Sequence, residues 1–444
     1  MPEKSNAFDC YNYLAAPVPL IAKNLAEYEP PRMAYDFPFL ILKRMRGYDE
    51  VYQQGKEIEN PGRIMPPEGS LRSFFEKNGR RIVYRRNAND HDNYESNHCD
   101  IRRLLKNASA KAKPGENTEA TPYYTLSDPS DKTLLFESRF ESGNLNHALK
   151  ISDNEYNLSM QNDINSAGNT QWFYFRVQNT TANSTVQFNI LNFGKNDSLF
   201  NHGMKVLCYS EIENSATNKG WFRDGTDISY FNNGIHKNTS GKSYYTLSYK
   251  FKFPHTNDTV YFAYGYPYTY TDLMEDLADI EKDPFKNKVA TRKLVCNTIA
   301  GNRCEVLTVT SPGTSEGVNQ RRGAVITARV HPGETVGSWM MKGVIDFLTS
   351  DTPEAKQLRD NYVFKIIPML NPDGVIAGNY RTSLVGNDLN RRWKKPNERL
   401  HPTIFHAKAM IKDFGRERPI DLVCDLHGHS KRKNVFMYGC NVPG

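Results

Sequence analysis

The sequence predicts an all-β sandwich followed by an α/β domain, on three observations. Between about residues 122 and 270 the apolar period is two, the repeat of strands with one buried face. After about residue 275, short and nearly all-apolar runs alternate with stretches of helical spacing, the pattern of a sheet covered by helices. Residues 106–121, KNASAKAKPGENTEAT, are small, polar and contain Gly and Pro, which is linker composition. The chain therefore divides into an irregular N-terminal docking region with its linker (1–120), a β-sandwich (121–272) and an α/β domain (273–444).

In the first segment, Pro-containing turns such as Pro66-Pro67-Glu68-Gly69 interrupt short apolar stretches such as Phe37 to Leu42. The sandwich is clearest in Tyr245 to Phe253, where apolar and polar residues alternate for nine positions. Gln171 to Val177, Thr185 to Leu191 and Gly203 to Tyr209 are further β-rich runs separated by Asn, Gly and Ser turns. Titratable residues do not cluster there, so this domain is expected to support or bind and not to carry chemistry. In the last segment, Ala324 to Ala328, Val363 to Ile367 and Leu422 to Leu426 read as strands. Val336 to Leu348 and residues 403–414 have helical spacing, and Asn371-Pro372-Asp373-Gly374 reads as a turn.

Composition sets bounds on function. With 38% hydrophobic, 24% charged and 12% aromatic residues, the 444-residue chain is not disordered throughout. No apolar run approaches the roughly 20 residues of a membrane span, and the first 25 residues lack the blocks of a signal peptide. A cytoplasmic protein with unused glycosylation sequons is expected. The cysteines, Cys10, Cys99, Cys208, Cys296, Cys304, Cys424 and Cys440, show no C-x-x-C spacing, so neither a disulfide framework nor a cysteine metal site is indicated. The net charge of +7 equals the excess of residues 275–444, which hold 26 basic and 19 acidic side chains. Two clusters contribute, Arg391-Arg392-Trp393-Lys394-Lys395 and Lys431-Arg432-Lys433, a field that favours an acidic partner.

The chemistry-bearing residues sit at strand ends. His331-Pro332-Gly333-Glu334 follows the strand at 324–328, where α/β folds place their sites. A second junction, Asp425-Leu426-His427-Gly428-His429, follows the strand at 422–426. Two junctions at one sheet edge can converge on one metal, and zinc takes His nitrogen and carboxylate oxygen readily. Between them runs Gly378 to Trp393, with Arg381, Arg391 and Arg392 suited to grip a carboxylate in two-pronged fashion.

Taken in order, H-P-G-E, N-P-D-G-V, G-N-Y-R-x-S, D-L-N-R-x-W and D-L-H-G-H-S resemble the M14 zinc carboxypeptidases, and within them the cytosolic carboxypeptidases that shorten polyglutamate chains on tubulin. Gln171 to Val177, Gly203 to Leu207 and Tyr266 to Leu273 resemble the β-sandwich that precedes the peptidase domain in that subfamily. The resemblance implies an α/β zinc carboxypeptidase domain with a mixed sheet. It implies one zinc ion held by His331, Glu334 and His427, with Asn390 and Arg391 on the substrate's terminal carboxylate and Arg381 on the oxyanion formed as a zinc-activated water attacks. Asp388 and His429 are expected to support the ligands, and Trp393 to pack. The implied partner is tubulin or another protein with a glutamate-rich tail, with no nucleic acid or membrane involved, a monomeric state, and a place at microtubules, cilia or basal bodies.

One departure belongs to this reading. The family's general-base glutamate and substrate-covering tyrosine lie well downstream of the third ligand, and 17 residues follow His427 here. The expectation is a peptidase domain lacking its C-terminal part, inactive as it stands. Two other functions fit the same residues: a non-catalytic binder of acidic tubulin tails, and an aspartoacylase-like zinc amidohydrolase, which shares the H-x-x-E…H frame.

Overall fold

The computed structural model describes residues 82–86, 124, 126, 128–166, 169–236, 242–430, 432 and 434–439. Most of the N-terminal docking region, the linker, and Lys431 and Lys433 of the second basic cluster lie outside them.

Two sheets form the sandwich. The first, in the order β1-β3-β4-β6-β10-β9, contains β1 (Ile82–Arg85), β3 (Leu145–Ser152), β4 (Glu155–Met160), β6 (Thr185–Phe193), β9 (Thr226–His236) and β10 (Ser243–Lys252). The second, in the order β2-β5-β11-β7-β8, contains β2 (Leu135–Glu137), β5 (Tyr174–Gln178), β7 (Val206–Ser210), β8 (Phe222–Asp224) and β11 (Val260–Ala263). Pairing is antiparallel except for β4 with β6. Strand β1 comes from the segment read as irregular; its Val83 and Tyr84 are buried in the sandwich core, so three apolar residues in a charged stretch suffice to add an edge strand.

Aromatic rings fill the space between the sheets. Phe188, Phe251 and Phe175 surround Phe262 at centroid separations of 5.3, 5.0 and 5.5 Å, within the range of favourable tilted and edge contacts. The second sheet is apolar on its other face as well. Trp172, Tyr174, Tyr209 and Tyr261 form a separate cluster there with Tyr380 of the α/β domain. Alternation along 172–177 thus sends one set of rings into the sandwich and the other into the domain junction.

The α/β domain is a five-stranded mixed sheet in the order β12-β13-β15-β14-β16: β12 (Ala290–Asn297), β13 (Arg303–Val309), β14 (Arg322–Ala328), β15 (Tyr362–Ile367) and β16 (Ile420–Leu426). Strands β15, β14 and β16 are parallel, and β12 and β13 antiparallel. Helix α1 (Glu211–Thr217) belongs to the sandwich; α2 (Tyr270–Lys282), α3 (Thr335–Leu348), α4 (Pro353–Asn361), α5 (Pro372–Ala377) and α6 (Pro402–Glu417) belong to the sheet. Ala324, Ile326 and Ala328 pack with Leu273, Leu277, Met341 and Ile345 of α2 and α3, whereas Val325 packs with Phe414 of α6. A strand covered on both faces needs the continuous apolar run seen in the sequence.

Asn371-Pro372-Asp373-Gly374 starts a helix and is not a turn. The Asn371 side chain accepts from the Gly374 amide and Pro372 occupies the first helical position, where its missing N–H costs nothing. The same four residues serve a type I turn equally well, so sequence alone does not separate the two.

Polar contacts dock the sandwich on the α/β domain. Glu141 accepts from the amides of Tyr270 (3.0 Å) and Thr271 (3.2 Å) at the positive end of α2. Ser142 donates its amide to Ile376 O and its hydroxyl to Val375 O. Asn165 Nδ2 donates to Leu384 O, and the Asp163 carboxylate meets the backbone at 380–382. Gly378, in the left-handed region at φ +78°, lies so close that a Cβ there would fall 2.6 Å from Gly143 O. Gly378→Ala is therefore expected to cost about 1–3 kcal/mol in urea unfolding, since it adds backbone strain to a steric clash; a loss below about 0.5 kcal/mol would mean the junction yields easily.

Candidate metal centre

Strand register builds the site. Ala328 of β14 pairs with Leu426 of β16 in parallel, so the loops that follow both strands leave the same edge. Those loops carry His331, Glu334 and His427, each with one ligand atom within 4.8 Å of the others. His331 Nδ1 lies 3.0 Å from Glu334 Oε1, and His427 Nδ1 lies 2.9 Å from Glu334 Oε2. The Gly428 amide donates to Glu334 Oε2 at 2.8 Å.

Each imidazole has a carboxylate at its far nitrogen. His331 Nε2 is 3.0 Å from Asp388 Oδ1, and His427 Nε2 is 2.7 Å from Asp425 Oδ2. A carboxylate there accepts from Nε2–H and leaves Nδ1 facing Glu334, the arrangement that orients zinc-binding histidines once the Nδ1 proton is displaced. Asp425 is anchored in turn by the Thr327 hydroxyl on the neighbouring strand at 2.8 Å.

The charges are strongly perturbed. Burial disfavours a charged His427 ring, but Asp425 and Glu334 outweigh it and hold the pKa up at about 10. His331 is buried too, and Asp388 and Glu334 still raise it above the usual imidazole range. Burial would raise Glu334, yet bonding to both histidines holds it well below the carboxylate range. Asp388 is likewise pushed up by burial and down, to about 2, chiefly by His331. Such a cluster of acids around two imidazoles suits a divalent cation, and its N, O, N donor set fits zinc.

The HPGE loop is shaped by a buried arginine that the sequence reading missed. Arg329, 2% exposed and at φ +56°, donates from Nε to Pro332 O at 2.7 Å and from Nη1 to Ser338 Oγ at 2.7 Å and Tyr268 O at 3.0 Å. Glu334 occupies the N-cap position of α3, and no capping bond from its side chain to that helix forms.

The remaining residues lie on one strap. Arg381 donates from Nε to Asp388 Oδ2 at 2.9 Å, and its Nη2 is 2.7 Å from the same oxygen, so the aspartate that orients His331 also holds the arginine. Asp388 then caps the 3₁₀ turn Leu389–Arg391, bonding the Asn390 amide at 2.9 Å. Asn390 accepts from Trp393 Nε1, and Trp393 packs against the core beside α6. Arg391, Lys394 and Lys395 are exposed. His429 is exposed and meets the Phe436 ring edge-on at 5.4 Å.

Two more residues escaped the sequence reading. Lys195, in the sandwich loop after β6, donates to the Tyr380 hydroxyl at 2.6 Å, and Asp163 grips the strap at 380–382. Neither has a local signature, because each acts across more than 180 positions. Asp425 did have one: it stands near the end of a strand, two residues before His427, a spacing that puts both on one face where the chain stays extended.

Comparison with known proteins gives the family. The zinc carboxypeptidase family matches residues 282–442, and the cytosolic carboxypeptidase N-terminal domain matches residues 136–265. Cytosolic carboxypeptidase 2 of Xenopus tropicalis is 49% identical over 312 residues, 70% of this chain and 32% of that protein. The human cytosolic carboxypeptidase 2 is 46% identical over 71% of this chain and 35% of its own length, so the chain spans about a third of these relatives. The solved metallo-carboxypeptidase of Burkholderia cenocepacia shares the fold at a TM-score of 0.53 and 23% identity, covering 68% of this chain and 71% of that one. The chain belongs to the zinc metallocarboxypeptidase family. Within it, the paired domains are those of the cytosolic carboxypeptidases. Among the described residues no helix is long and apolar enough to cross a membrane.

Zinc must displace the proton that Asp425 and Glu334 hold on the His427 ring. Zinc affinity is therefore expected to rise with pH through neutrality, about tenfold per unit for each proton displaced, with proton release measurable by calorimetry in buffers of different ionisation enthalpy. Asp425→Asn removes the acceptor at His427 Nε2 and is expected to weaken zinc binding about 10- to 100-fold.

Proposed function

We propose that this chain is the catalytic part of a zinc carboxypeptidase that removes glutamate from acidic or polyglutamylated protein tails, with tubulin as the leading substrate. The observation that carries the reading is the joining of the metal triad to the Arg381 strap through Asp388, which contacts both His331 and Arg381. His331, Glu334 and His427 would hold a single zinc ion, which when bound supplies an activated water and polarises the scissile carbonyl.

The protein's own residues set the rest. Asn390 and Arg391 hold the terminal carboxylate, which defines an exopeptidase, and the exposed guanidinium of Arg391 is open to a chain end. Arg381 keeps two donor contacts on Asp388 and has further N–H groups to meet negative charge developing on the carbonyl oxygen. The exposed Lys394 and Lys395, with Arg391, present the positive field that would draw in an acidic tail. Association with microtubules or cilia, in the cytoplasm and as a monomer, follows from the same reading.

The test is release of glutamate from polyglutamylated tubulin by zinc-loaded full-length protein. Glu334→Ala is expected to abolish release together with zinc binding, and equal activity in that variant would overturn the assignment. Arg381→Ala is expected to lower kcat by about 10²- to 10³-fold, while Arg391→Ala acts chiefly on KM. Release of acetate from acylamino acids with tubulin left intact would favour the amidohydrolase.

A further inference from the structure

The sandwich reaches into the site through one buried carboxylate. Asp163, 3% exposed, stands between β4 and β5 and accepts three consecutive amides of the strap: Tyr380 N on Oδ1 at 2.6 Å, then Arg381 N and Thr382 N on Oδ2, both at 2.7 Å. The Thr382 hydroxyl adds a fourth bond at 3.1 Å. Adjacent residues follow the same strap, with Ile164 N donating to Asn379 Oδ1 and Asn165 Nδ2 to Leu384 O. At Gly386 a Cβ would fall 2.2 Å from Asn165 O, so the two backbones run in contact.

Three successive amides converging on one anion fix the chain on either side of Arg381, because each bond constrains a different peptide plane. The arginine side chain then leaves a backbone that cannot shift, and its guanidinium is set against Asp388. Burial opposes the arrangement, pushing the Asp163 carboxyl up to about 6, and the amide bonds only partly offset that cost. A purely structural tie between the domains would need no such buried charge: Ser142 achieves one with a hydroxyl and an amide.

We propose that Asp163 is a positioning residue for the carboxypeptidase reaction, holding the backbone of Arg381 so that its guanidinium is preorganised for the oxyanion, and that the sandwich is thereby part of the active site. This rests on the oxyanion role of Arg381 proposed above. Asn at position 163 keeps the shape but replaces one acceptor oxygen with an amide group that opposes the backbone N–H donors.

The experiment uses zinc-loaded full-length protein with two readouts: hydrogen exchange at 380–382, and affinity for a phosphinate analogue of a glutamyl-glutamate dipeptide compared with free glutamate. Asp163→Asn is expected to lose protection at 380–382 while 323–328 stays protected, and to weaken phosphinate binding about tenfold more than glutamate binding, with zinc content unchanged. Ser142→Ala, which loosens the junction elsewhere, is expected to leave the phosphinate-to-glutamate ratio unchanged. Unchanged protection in Asp163→Asn, or lost protection with an unchanged ratio, overturns the proposal. If Asp163→Asn fails to fold, Thr382→Val removes one of the four bonds, and a ratio identical to wild type there overturns it as well. A wild-type protein that binds zinc but neither ligand overturns the reading of Arg381 and the functional half of the proposal with it; hydrogen exchange then still reports whether Asp163 fixes the strap.

Discussion

The parallel pairing of Arg322–Ala328 with Ile420–Leu426 is the constraint on which the site depends. Parallel neighbours end at the same edge of a sheet, so the residues that follow them in sequence are brought face to face. Here that register places His331 and Glu334 against His427, far apart in the chain. A register slip of one residue would turn Asp425 away from Thr327 and His427 away from Glu334 together, and the cluster would come apart.

Charge explains why the centre needs its outer carboxylates. Two imidazoles around one glutamate could sit in several tautomers and orientations; Asp388 and Asp425 leave one of each. The same acids make the metal-free cluster prefer protons, so a cation that replaces those protons meets a set of donors already aimed. Asp388 also bonds Arg381, coupling the His331–Glu334–His427 cluster to the strap that bears Arg381, Asn390 and Arg391.

The sandwich differs from a passive support in where its polar groups go. Its core is aromatic and closed, yet its second sheet is apolar on both faces, and the outer face accepts Tyr380. Around that apolar contact, Glu141 meets a helix start, Ser142 a helix end and Asp163 the strap at 380–382. Each satisfies backbone groups that would otherwise be buried without partners, which ties docking to the shape of the site.

Much of this was legible in the order of residues, because the signals are local. Alternation in Tyr245 to Phe253 marks a strand, the apolar run at Ala324 a doubly covered one, and H-P-G-E with D-L-H-G-H marks ligands at strand ends. Asn371-Pro372-Asp373-Gly374 was ambiguous because a helix start and a turn use the same residues. What the sequence by itself determined was the fold class, a β-sandwich followed by an α/β domain, and the family, since these rest on periodicity and on motifs a few residues long. What only the tertiary structure decided was the assignment of Asp388 to His331, the contacts of the buried Arg329 beneath the loop, and the grip of Asp163 on the backbone of Arg381. Those depend on which groups meet across the fold, and a hydrogen bond such as that of Asp163 to the Arg381 amide, more than two hundred positions apart, leaves no pattern in either segment.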